Sequence, residues 1–172
     1  IEDDLRKKNI KYRIYGGLSF YQRKEIKDVL SYLRLLVNPN DEEALKRVIN
    51  YPARGIGQTT LDRLSLAANQ NNLSIFEVLL KLDTLNIGVN SGIRTKLQNF
   101  VNMIGSLQIE ARSKDAFEVA NQVVKTTRIL RDIESEGTPE AISRVENVQE
   151  LLNGIRDFIV EERSAMGKLD TQ

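Results

Sequence analysis

The sequence predicts an all-α domain, and three observations carry that expectation. Apolar residues recur at the three-and-four spacing of one helix face in six or more stretches. Helix-start signals precede several of these stretches, and only one short run alternates as a strand would. One strand cannot make a sheet alone, so its partner sheet is expected outside this segment of chain.

Taken in order, residues 2–9 read as the tail of a helix and residues 10–15 as the short strand, ended by Gly16-Gly17. From Phe20, the positions Ile26, Val29, Leu30, Leu33, Leu36 and Val37 form one helix face, and Asn38-Pro39-Asn40 stops the run. Asn40 is the expected cap of a short helix reaching Asn50, with Asp41, Glu42 and Glu43 placed against the positive end of its dipole. That placement explains the three carboxylates without any metal or acid-base role. Tyr51-Pro52 closes the helix, and Arg54-Gly55-Ile56-Gly57 leads into the next, over residues 58–69.

Ser74 with Glu77 reads as a capping box for a helix to about Leu82. Ser91 opens a longer one through Leu107. Asp115 starts a stretch that runs through Phe117, Val119 and Val123 to Ile129 and Leu130, broken at Ser135-Glu136-Gly137. Thr138, as cap with Pro139 in the first helical position, starts the last helix, whose apolar positions run from Ile142 to Ile159. Beyond residue 160 no apolar period continues, and a frayed tail is expected over residues 161–172.

Composition narrows the chemistry. At 172 residues the chain can bury a real core, and 41% hydrophobic with 28% charged residues is ordinary for a globular protein. No run approaches the roughly 18 apolar residues of a membrane span, so no membrane contact and a cytoplasmic setting are expected. With no cysteine and no histidine, the chain lacks disulfides, thiol nucleophiles, the commonest metal ligand and the commonest general base. A net charge of +1 supplies no overall field for nucleic acid, so any DNA binding must come from a local patch. The opening residues, without Met, read as the middle of a helix and suggest an excised piece.

The helix, bend, Gly-Ile-Gly and helix of residues 41–69 resemble a helix-hairpin-helix. Its glycines let backbone approach a surface closely, and the amides around Gly57 and Gln58 open a helix, where unpaired N–H groups and the dipole favour an anion such as phosphate. Thr59 and Thr60 add hydroxyl donors and Arg54 adds charge, none of which reads base identity. On the preceding helix, Lys24, Lys27, Ser31 and Arg34 recur at helical spacing as a donor stripe opposite the Ile26/Leu30/Leu33 face. The competing reading is a tight interhelix turn beside a plainly solvated face. Gly16 and Gly17 make no phosphate loop, because no Gly-Lys-Ser/Thr follows them.

The run from Tyr12 to Asp28, Tyr-Arg-Ile-Tyr-Gly-Gly-Leu-Ser-Phe-Tyr-Gln-Arg-Lys-Glu-Ile-Lys-Asp, resembles the exit from the second motor subdomain in UvrD/PcrA/Rep-type superfamily 1A DNA helicases. Leu33-Arg34, Asn38-Pro39-Asn40-Asp41, Arg47-Val48-Ile49-Asn50, Pro52 and Arg54-Gly55-Ile56-Gly57 continue it. Ser143-Arg144-Val145-Glu146-Asn147 extends it more loosely. The resemblance implies subdomain 2B, a helical insertion that grips duplex DNA near the single-strand junction, over residues 16–160. It also implies that residues 1–15 are the edge of the RecA-like motor subdomain 2A.

Carried over residue by residue, the family's duplex contacts fall on Lys27, Arg34, Gly55, Ile56, Gly57 and Thr60. With the groups read directly from the sequence, the expected DNA-binding set is Lys24, Lys27, Arg34, Arg54, Gly55, Ile56, Gly57, Thr59 and Thr60, with no catalytic, cofactor or metal residue. The parent is expected to be a 3′-to-5′ helicase of repair or replication using ATP and Mg2+, through motifs outside this sequence. Its remaining subdomains and repair proteins are the expected partners. The alternative is a helical protein–protein module without DNA contact.

Overall fold

A computed structural model describes residues 18–170, and these contain nine helices and no strand. In chain order they are α1 (Leu18–Tyr21), α2 (Lys24–Val37), α3 (Glu42–Val48), α4 (Gln58–Asn71), α5 (Ile75–Leu80), α6 (Ser91–Ala111), α7 (Ala116–Thr127), α8 (Ile129–Glu134) and α9 (Pro139–Asp170). The all-helical expectation holds for these residues. The expected strand over residues 10–15 and the helix tail before it lie outside them. The chain divides into two compact units, one of residues 1–30 with 110–172 and the other of residues 31–109.

In the first unit, α7 packs on α9, and α8 packs on both. Ala120, Val123 and Val124 of α7, Ile129 and Ile133 of α8, and Val148, Leu151 and Ile155 of α9 are buried. Residues 115–130 were expected as one helix, yet Arg128 takes a left-handed conformation (φ 59°) and divides it into α7 and α8. The break turns Ile129 and Ile133 inward, and the buried hydroxyl of Thr127 is satisfied by the Val123 carbonyl at 2.8 Å. Residues 161–170 remain helical, correcting the expected fraying. Their side chains are mostly exposed, and Arg163 reaches Asp115 at 3.1 Å. Ile142, the first of the apolar positions expected along the last helix, is exposed.

In the second unit, α4 packs on α5 and α3 on α5. Leu97, Phe100, Ile104 and Leu107 of α6 recur at helical spacing and are all buried, each contributing about 1.5–3 kcal/mol relative to exposure. Asp41, rather than Asn40, caps α3, accepting from the Ala44 amide at 3.1 Å. Asn40 instead accepts from the Ser74 hydroxyl at 2.7 Å, which ties the start of α3 to the start of α5. Ser74 in turn accepts from the Glu77 amide, as its capping-box spacing predicts.

Caps are a local source of stability that substitution reads directly. Asp115 accepts from the Glu118 amide at 2.9 Å at the start of α7. Its ion pair with Arg163, whose side chain is 71% exposed, adds little. Asp115→Ala is expected to cost about 1 kcal/mol, chiefly through the lost cap, and a midpoint shift on urea unfolding measures it. An Arg163→Ala variant with the same loss would assign the effect to the ion pair instead.

Candidate nucleic-acid interface

The turn between α3 and α4 is built from local signals. α3 ends at Val48, Tyr51-Pro52 is a cis peptide, and Gly55 takes φ +78°, a conformation that a side chain would strain. Asn50 Oδ1 accepts from the backbone amides of both Arg54 (2.8 Å) and Ile56 (3.0 Å). Ile56 is buried at 1% exposure and anchors the turn, leaving Gly55 and Gly57 on the surface.

Gly57 differs from Gly55 in what its missing side chain does. Its backbone is extended (φ −89°, ψ −179°), and a Cβ placed there would meet nothing within 4 Å. The fold therefore has no steric need for glycine at this position. Gly57 is also the N-cap of α4 and supplies no side-chain acceptor to the first-turn amides. Asp41, Ser74, Asn90, Asp115 and Thr138 hand an oxygen to the first turns of α3, α5, α6, α7 and α9. Beside the turn lies Lys96 of α6, whose Nζ would sit 2.6 Å from a Cβ on Gly55.

The structure sorts the other expected residues. Thr59 is exposed on the first turn of α4, whereas Thr60 is buried, so only its backbone faces the question of ligand binding. Arg34 donates through Nε and Nη2 to the Asp41 carboxylate at 3.1 and 2.9 Å and remains partly exposed. In the first unit, Lys24 pairs with the buried Asp28 at 2.9 Å, and Lys27 is exposed. The donor stripe is narrower than expected, because Ser31 is buried along with Glu25 and Asp28. Polarity alone suggested a solvated face for α2, but burial covers most of its circumference.

Arg54 departs furthest from its expected orientation. It was expected to face phosphate, but its guanidinium turns inward to backbone carbonyls and aromatic rings. A lone arginine beside two glycines carries no sequence signal for that direction. Lys96 was missed for the opposite reason, since forty residues separate it from the turn and only the fold brings them together.

The sequence is similar to known proteins over nearly its whole length. The profile of the UvrD-like helicase C-terminal domain matches residues 1–171. The chain belongs to the UvrD-like helicase C-terminal domain family. It is 37% identical over 158 residues to the ATP-dependent DNA helicase PcrA of Staphylococcus aureus (strain NCTC 8325 / PS 47), covering 92% of this chain and 21% of that relative. To the protein of the same name from Staphylococcus epidermidis (strain ATCC 12228 / FDA PCI 1200) it is 36% identical, with the same coverage. The chain thus spans about a fifth of the length of the curated relatives it matches.

The sequence contains no Gly-Lys-Ser/Thr. Among the described residues, no group of three or more His, Cys, Asp or Glu is placed to hold a metal ion. No helix among them is long and apolar enough to cross a membrane.

Proposed function

We propose that this UvrD-like domain is the subdomain 2B insertion of an ATP-dependent 3′-to-5′ DNA helicase. In that reading it grips the phosphate backbone of duplex DNA near the single-strand junction, without reading sequence. The observation that carries the proposal is the first turn of α4, where Gly57 gives the helix amides no side-chain acceptor and a Cβ on it would meet nothing within 4 Å. Lys96 and Thr59 supply charge and hydroxyl donors in the same unit, and Lys27 is an exposed cation proposed as a separate phosphate contact. ATP and Mg2+ then belong to the rest of the helicase, whose other subdomains and repair proteins are the partners.

Substitution at Gly57 separates binding from folding. In Gly57→Asp, the new carboxylate caps α4 and changes stability by only a few tenths of a kcal/mol, in the favourable direction. The same carboxylate occupies the phosphate's place and repels it, so duplex affinity is expected to fall about tenfold or more. Fluorescence anisotropy of a labelled duplex, titrated at two salt concentrations, reads the change from a parent Kd of about 10⁻⁴ to 10⁻⁶ M. Lys27→Ala is expected to weaken binding and to lower the salt slope by about one. Equal affinities for Gly57→Asp and the parent would sink this assignment of the phosphate grip.

A further inference from the structure

Arg54 makes the contacts of a cap placed at the wrong end of its own segment. Nη1 donates to the carbonyls of Val48 (2.7 Å), Ile49 (3.2 Å) and Tyr51 (3.3 Å), which cluster where α3 ends. Nη2 donates to the Tyr32 hydroxyl at 2.6 Å. The hydroxyl donates onward to the Tyr51 carbonyl. The guanidinium carbon lies 5.2 Å from the Phe100 ring centroid and 5.8 Å from that of Tyr32. One planar group thus ties the end of α3, the buried hydroxyl of α2 and the aromatic face of α6 together, all within the second unit.

We propose that Arg54 is a positioning residue: it holds the Gly55-Ile56-Gly57 backbone in its phosphate-accepting shape while touching no nucleic acid itself. The inference rests on the duplex-binding reading above and adds the device that preorganises that site. The segment is pinned on both sides of Gly55. Arg54 is held by its side chain and by its amide on Asn50, and Ile56 by its amide on the same Asn50 oxygen and by its buried side chain. A turn fixed before the ligand arrives pays no ordering cost on binding, and that cost is what affinity for a few phosphates can least bear.

Arg54→Lys separates charge from geometry, because lysine keeps the charge but has no planar fork to span three carbonyls and a hydroxyl. Losing hydrogen bonds from a charged donor is expected to weaken duplex binding about tenfold and to speed exchange of the Ile56 amide by a similar factor. The salt slope should stay that of the parent, since no phosphate contact is removed. Tyr32→Phe is the second variant. Tyr32 is 0% exposed and beyond reach of DNA, so any loss of affinity is indirect, through its bonds to Arg54 and to the Val48 and Tyr51 carbonyls that Arg54 also holds. It should shift both readouts the same way, about threefold, and it keeps the test open if the lysine variant does not fold.

Unchanged Ile56 exchange in both variants overturns the proposal. So does retained affinity in Arg54→Lys with a lost unit of salt slope in Arg54→Ala, which would make Arg54 a direct phosphate contact. If Gly57→Asp loses duplex binding while Arg54→Lys and Tyr32→Phe keep it, only the positioning role falls. If all three bind DNA like the parent although Ile56 exchange has accelerated, the duplex-binding reading falls with it.

Discussion

Phe100→Ala is expected to destabilise the second unit by about 3–5 kcal/mol, the range for deleting a large aromatic from a packed core. Phe100 is 1% exposed and lies on the buried face of α6 with Leu97, Ile104 and Leu107, so the cavity has few ways to collapse. A second loss adds to the first. The ring carries the Arg54 guanidinium 5.2 Å from its centroid, and a partly desolvated cation over an aromatic face contributes about 0.5–2 kcal/mol.

Phe100→Leu divides the two. It keeps apolar volume and forfeits the ring face, and its expected cost is about 1.5–3 kcal/mol. Because the chain divides into two compact units, the effect is best read by native-state hydrogen exchange of amides in α3 and α6, with urea unfolding as the global measure. A loss under about 1 kcal/mol for the alanine variant would show that α6 repacks and that the aromatic shelf under Arg54 is dispensable.

The helices were legible in the sequence wherever a start signal is chemical and local. Ser74 with Glu77, Asp115, and Thr138 with Pro139 each cap the helix expected of them, because the capping oxygen and its amide lie three residues apart. Signals failed where the decision is made by distant packing. Nothing near Arg128 announces a left-handed residue, and the division of α7 from α8 follows from burying Ile129 and Ile133.

Beyond residue 160, attention to apolar period missed helix-favouring Glu161, Glu162, Arg163, Ala165, Met166 and Lys168, which keep α9 helical without a core face. The Gly-Ile-Gly turn was legible from the order of residues between two helical patterns. The inward direction of Arg54 and the approach of Lys96 were not, since each depends on α6, which is remote in sequence.

Glu25→Ala is expected to cost the first unit about 3 kcal/mol, near the low end for removing one partner of a buried ion pair. Glu25 is 3% exposed on the first turn of α2, where a carboxylate also meets the favourable end of the helix dipole. Its oxygens lie 3.7 Å from Arg144 Nε and accept from Asn147 Nδ2 at 3.4 Å, both on α9. Two facts moderate the loss. These contacts are long, and Arg144 keeps a second carboxylate, Glu136, at 2.7 Å. The charge left behind therefore retains a partner, and the damage comes from the cavity and the unpaired amide of Asn147. Glu25→Met fills the same volume without charge, and well-packed apolar replacements of buried ions are often tolerated, so it should recover at least half of the loss. Urea unfolding of both variants decides between the terms. A methionine variant as unstable as the alanine one would show that the carboxylate itself, through Arg144 and the helix dipole, holds α2 against α9.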